Sequence, residues 1–221
     1  MRLLGGVERL LSEKYWEGAR GFTLTEPMRV AIAAQAALVT LTLGVDAYQH
    51  VKAIVVHPST VVVRTPRPGP VPGTFDDSPI ELIGEAHGRQ GPVILAWDAV
   101  SADIRVRGYH GRNVVIHEFV HKLDMLDGVV DGTPPLADDA ARRRWKQVTD
   151  AEFDSLRSGS PDPLLRDYAA TDPGEFFAVA AEVFFTRPVD LATAKPALYG
   201  IYRDFFRQDP AARRARSARA G

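Results

Sequence analysis

An α+β fold with one small mixed sheet is what this 221-residue sequence predicts. Three observations lead there. Apolar segments with helical period occupy both ends of the chain, and short β-branched runs cluster between residues 51 and 97. Between them and the C-terminal helices lies NVVIHEFVHKLDMLDG, residues 113–128, where two histidines and a glutamate sit in an apolar run.

Residues 7–18 place Val7, Leu10, Leu11 and Tyr15 on one side of a short amphipathic helix. Thr25, Glu26 and Pro27 start the next one. They supply a capping hydroxyl and then a proline whose missing N–H costs nothing in the first turn, so a helix should run to about Leu43 and stop at Gly44. VKAIVV (51–56) and VVVR (61–64) read as strands on either side of a turn at Pro58–Ser59. The following stretch, TPRPGPVPGTFDDSP (65–79), holds five prolines and two glycines and predicts a surface loop. ELIGEAH (81–87) and PVILAW (92–97) return to strand character. A helix from about Asn113 ends at Gly128, another spans roughly 139–157, and a third begins near Asp172. The arginine- and alanine-rich tail, 209–221, has no apolar face and predicts disorder. The organisation expected is one domain over 1–208, with a helical N-terminal part (1–50), a small sheet with loops (51–110) and a helical part (111–208) that holds the histidines.

Composition narrows the function. The chain is 45% hydrophobic and 25% charged with net charge −1, which gives no sign of a nucleic-acid or membrane partner. It has no cysteine, so thiolate metal sites and cysteine nucleophiles are excluded. The most apolar stretch, Val30 to Leu43, is broken by Gln35, Thr40 and Thr42 and is too short to span a bilayer. A soluble cytoplasmic protein is the expectation.

On a helix, His117 and His121 project in nearly the same direction, about 6 Å apart along the axis. Two imidazoles so placed can bind one zinc ion, and Glu118 is positioned to take a proton from water on the metal. That is the chemistry of a zinc hydrolase. The neighbours Val114, Val115, Ile116, Phe119, Val120 and Leu123 imply a buried helix, where unpartnered imidazoles and a carboxylate would be costly. Asp124, seven residues after His117, either orients a ligand histidine or faces solvent. Asp127 and Asp131, beside Gly128 and Gly132, read as turn residues.

A third ligand must come from a carboxylate or from His50, His57, His87 or His110, since no histidine follows His121. In DYAATDPGEFFAVAAEVFF (167–185), Asp172 caps a helix with Pro173 in its first position, and Glu175 is either the glutamate of a capping box or a ligand. Glu182 lies within about 20° of the same face, so geometry leaves open which glutamate binds metal and which holds a histidine. Tyr168 is either a packing residue or a phenol able to donate a hydrogen bond to a developing oxyanion.

NVVIHEFVHKLDMLDG, YAATDPGEFFAVAAEVFF and LYGIYRDFFRQDP (198–210) together closely resemble the MtfA (Mlc titration factor A) family of bacterial zinc peptidases. The resemblance covers nearly the whole chain, although family members usually carry more sequence before the first helix, and His57 stands where a tyrosine is common. It implies a zincin-like, gluzincin-like fold with a catalytic core similar to that of anthrax lethal factor. It further implies one zinc per chain on His117, His121 and Glu175, Glu118 as general base, Tyr168 assisting the carbonyl, and Glu182 in support. In such folds an edge strand above the helix guides peptide substrates by strand addition, and PVILAW is the expected edge. Two functions follow. One is a zinc-dependent peptidase acting through metal-activated water and a glutamate base, with an aminopeptidase-like or an endopeptidase preference left open. The other is a regulatory protein that sequesters a transcriptional repressor such as Mlc with little or no turnover.

Overall fold

The first helix, α1 (Arg2–Glu13), is followed at once by strand β1 (Tyr15–Gly18), so the helix expected over 7–18 starts earlier and ends before Tyr15. Val7 and Leu10 are its buried residues, and Trp16 Nε1 donates to Leu10 O, folding β1 back onto the helix end. The computed structural model describes residues 2–44, 46–63, 67–68, 75–76, 80–82, 84–86, 90–106 and 110–220, with backbone alone for the strands between 61 and 86 and for 217–220.

Helix α2 (Glu26–Val39) begins where the Thr25-Glu26-Pro27 signal puts it, although the Thr25 hydroxyl makes no capping bond. It ends four residues before Leu43. Its buried face is Ile32, Ala33, Ala36, Ala37 and Val39, and Ala37 lets α1 approach closely at Gly6. Next come β2 (Ala53–His57) and β3 (Val61–Val63), then the short β4 (Arg67–Pro68), β5 (Phe75–Asp76), β6 (Ile80–Leu82) and β7 (Gly84–Ala86), and β8 (Val93–Ala96). Most of the proline-rich 65–79 segment lies outside the described residues, as does His87.

The principal sheet has the order β1-β2-β8-β7, parallel across β1, β2 and β8 and antiparallel between β7 and β8. β2 and β3 therefore do not form a hairpin; β3 pairs with β6 in a separate two-stranded ladder. Ile54 pairs with Val93 and Val56 with Leu95, and all four are fully buried. β8 consequently lies inside the sheet, and the edge on this side is β7. PVILAW had been expected at the edge, but its uninterrupted apolar run is what a strand covered on both faces needs. The same segment stops at Ala96, because Trp97 opens helix α3 (Trp97–Arg105).

Helix α4 (Val114–Asp124) packs on β7, β8 and α2, and its C-terminus passes into a 3-10 turn closed by Gly128 at φ 92°. Helix α5 (Asp139–Arg157) has the expected bounds. Helices α6 (Pro173–Thr186), α7 (Pro188–Ala194) and α8 (Pro196–Phe206) each start with proline. Phe177, Phe184, Tyr202, Phe206 and Trp145 stack into one aromatic core beneath α6. The tail expected to be disordered is instead helix α9 (Pro210–Ala220). Asp209 accounts for the difference. Its Oδ1 accepts from Ala212 N at 2.9 Å and from the Tyr199 hydroxyl at 2.6 Å, so a cap and a first-turn proline outweigh a polar composition.

Candidate metal centre

Two buried helices, α4 and α6, cross to make the site. The start of α4 is held by three separate acceptors. Asn113 Oδ1 accepts from Ile116 N at 2.9 Å, Asp103 Oδ2 accepts from Val114 N at 2.8 Å, and Glu182 Oε2 accepts from Asn113 N at 2.5 Å. Asn113 in turn donates to Gln35 Oε1 of α2 at 2.6 Å. The helix dipole end that would otherwise be left unpaired is fixed to the rest of the molecule.

Within α4, the ring centroids of His117 and His121 are 4.8 Å apart, and their Nε2 atoms face one another at 3.2 Å. Asp172 caps α6 by accepting from Glu175 N at 2.9 Å. Only half of a capping box forms, because the Glu175 carboxylate faces the two histidines. Its Oε2 lies 3.0 Å from His117 Nε2 and 3.5 Å from His121 Nε2. His117, His121 and Glu175 are the group of metal-competent side chains found among the described residues; His50, His57 and His110 stand apart from it.

The donor set fits a metal ion. Glu182 Oε1 lies 2.8 Å from His117 Nδ1, so this nitrogen donates and Nε2 is left with a free lone pair aimed at the cluster centre. Glu175 Oε2 is buried and has no hydrogen bond of acceptable geometry, despite its closeness to both rings. Buried acceptors pointed at one another without a donor between them call for a cation. With no ion between them, only protons can relieve that repulsion. Burial opposes charge on His117, but its contacts with Glu175 and Glu182 prevail and raise the imidazole to about 10. Burial also opposes charge on Glu175, and the two histidines hold its carboxyl well below the usual range.

Glu118 is 4% exposed, and burial raises its carboxyl to about 7 against the pull of His117 and His121. Tyr168 sits in a 3-10 turn, Asp167–Ala170, half exposed, with its ring 6.1 Å from that of His117. Burial of the phenol and the negative charge of Glu175 both raise its pKa. Glu182 is 1% exposed and does the orienting; Glu175 meets both histidines. Asp124 neither orients a described histidine nor faces solvent. It is buried, shares no hydrogen bond with a histidine among the described residues, and accepts from Gly132 N at 3.0 Å. Asp127 and Asp131 accept from Val129 N and Thr133 N, as turn residues do.

Two residues near the site carried no sequence signal. Arg166 Nη2 donates to Glu182 Oε1 at 2.7 Å, and its guanidinium carbon lies 5.7 Å from the Tyr168 ring centroid. Lys122 is fully buried on α4 and donates to Gly91 O at 2.8 Å, fastening the helix to the turn before β8.

Comparisons with known proteins find a family and several relatives. The model of the family described as "Glucose-regulated metallo-peptidase M90" matches residues 1–207. A protein of Serratia proteamaculans named Mlc titration factor A is 35% identical over 220 residues, covering 96% of this chain and 81% of its own. Its namesake in Salmonella typhimurium is 32% identical over 238 residues, covering 100% of this chain and 83% of its own. An uncharacterized Synechocystis protein is 34% identical over 212 residues, covering 95% and 76%.

Proposed function

Since the chain belongs to the glucose-regulated metallo-peptidase M90 family, we propose that it is a zinc-dependent, zincin-like peptidase whose metal is held by His117, His121 and Glu175. One observation carries this reading. The three candidate ligand atoms are separated by 3.0, 3.2 and 3.5 Å. Ligands about 2.0–2.1 Å from a tetrahedral zinc lie about 3.3 Å from one another. A zinc ion at that point supplies a Lewis acid that polarises the scissile carbonyl and acidifies water.

The remaining steps belong to the chain. Glu118 takes a proton from the attacking water as its oxygen bonds to the carbonyl carbon. It then returns the proton to the departing amine as the C–N bond breaks. Tyr168 donates a hydrogen bond to the carbonyl oxygen as that oxygen gains negative charge, which explains an exposed phenol beside a buried cluster. Glu182 holds the His117 ring and the first turn of α4 in register. β7, the outer strand of the sheet beside α4 among the described residues, is where an extended peptide can add as a further strand. No described helix is long and apolar enough to cross a membrane, and a cytoplasmic location is part of this proposal.

The test is metal removal. Chelation should abolish cleavage of a peptide panel, and one equivalent of zinc per chain should restore it; cleavage surviving complete removal would sink the reading. The name of the relatives favours a second reading, in which the protein binds and sequesters a transcriptional repressor with weak or absent turnover. A purely sequestering protein has no use for Glu118 or for an exposed Tyr168, which is why catalysis is placed first.

A further inference from the structure

Arg166 touches two parts of the site at once. On one side its Nη2 donates to Glu182 Oε1 at 2.7 Å, the same oxygen that accepts from His117 Nδ1 at 2.8 Å. On the other, its guanidinium carbon stands 5.7 Å from the centroid of the Tyr168 ring, within cation–π range. The second terminal nitrogen, Nη1, is buried and has no hydrogen-bond partner among the described residues. A guanidinium that leaves N–H groups unpaired is costly unless an electron-rich surface receives them, and the Tyr168 ring is the neighbour able to do so. The Tyr168 ring also stands 6.1 Å from that of His117, and its phenol feels the charge of Glu175. Tyr168 belongs to a four-residue 3-10 turn and is 49% exposed.

We propose that Arg166 is a positioning residue that couples the two halves of the site, setting the Tyr168 phenol relative to the metal ligands by clamping its ring against the Glu182–His117 pair. The coupling itself is a statement about geometry; its effect on hydrolysis rests on the peptidase reading. Arg166 acts through Tyr168 and does not meet the substrate. Lysine is not equivalent, because its single ammonium can keep the charge contact with Glu182 but cannot also present cationic N–H groups to the ring, as the broad guanidinium does.

The experiment uses the zinc-loaded full chain labelled with 3-fluorotyrosine, the Tyr168 resonance being identified by its loss in Tyr168→Phe. Arg166→Lys and Arg166→Met should both shift or broaden that resonance. Arg166→Lys should keep zinc affinity, measured by chelator competition, within about threefold of wild type. In peptide hydrolysis, Arg166→Lys should lower kcat about tenfold or more with KM within about twofold, the usual scale for losing an outer partner of a metal site. In a Tyr168→Phe background the same change should cost less than about threefold, because its route is already removed. An unmoved fluorine resonance overturns the proposal, and so do fully multiplicative losses in kcat. If the resonance moves while wild type cleaves no peptide, the coupling stands and the peptidase reading fails.

Discussion

Glu175 and Glu182 are two turns apart on α6, yet they meet different atoms. Glu175 presents Oε2 to both histidine Nε2 atoms, whereas Glu182 receives His117 Nδ1, Arg166 and the Asn113 amide. Their alanine variants should therefore fail differently. Glu175→Ala should lose stoichiometric zinc while the fold persists. Glu182→Ala should weaken zinc binding about 10–100-fold and also lower thermal stability, since Arg166 and the start of α4 lose their acceptor. Zinc content with a melting curve on each variant checks both, and zinc lost only from the Glu182 variant would reverse the assignment. The contrast also shows what could be read in advance. His117 and His121 were legible because four-residue spacing on one helix is local. The choice between Glu175 and Glu182 was not legible from spacing, because it depends on how α6 crosses α4; only the family resemblance named Glu175. Arg166 was invisible for the same reason: its meaning lies in contacts with residues 2 and 16 positions away that no spacing announces.

At the scale of elements, caps decide where the ligands stand. Asp172 places the first turn of α6, and with it Glu175, so Asp172→Ala should cost about 1 kcal/mol, roughly 2–4 °C in a chain of this size. It should weaken zinc binding as well, measurable in the same chelator competition. The segment from 128 to 133 is pinned against that turn. Gly132 has φ 72°, donates to Asp124, accepts from Trp145 Nε1 at 2.8 Å, and would put a Cβ 2.2 Å from Pro173 O. Gly132→Ala should accordingly destabilise by about 1–3 kcal/mol, read from denaturant unfolding; an unchanged midpoint would show that the turn can shift freely. Proline-led starts made α2 and α6 readable, and the same signal at Asp209–Pro210 was present but outweighed by the composition of the tail. β1 was missed because four residues with two of them glutamate and glycine carry too little pattern. The place of β8 depended on partners from distant parts of the chain.

Across the whole molecule, one charge cluster joins α5, the segment bearing Arg166 and Tyr168, and the α7–α8 junction. Lys195 Nζ contacts Glu152 at 2.5 Å and Asp162 at 2.7 Å. Burial opposes charge on Asp162, but Lys195 and the Leu165 and Leu164 amides outweigh it and lower its pKa. Burial likewise opposes charge on Lys195, and Asp162 and Glu152 raise it. A lowered carboxylate contributes stability above its unfolded pKa, about 3.9, and loses it as pH falls through the folded value. A raised lysine contributes below its unfolded pKa, about 10.4, and loses it as pH rises through the folded value. The cluster should thus stabilise evenly across neutral pH, and Lys195→Met should remove that contribution there while converging with wild type in acid. Melting temperatures from pH 3 to 8 test this; a constant difference down to pH 3 would contradict it.

The molecule as a whole brings a histidine pair from one helix and a glutamate from another onto one point, with Glu118 beside them. Whether that arrangement works as a peptidase is tested most directly by Glu118→Gln, which keeps size and hydrogen bonding but cannot accept the proton. Zinc content and hydrolysis of the same peptide panel should be measured together on the variant and the wild type. The account predicts one zinc in both and a loss of cleavage of at least about a hundredfold in the variant. Undiminished cleavage by a zinc-loaded Glu118→Gln protein would contradict it.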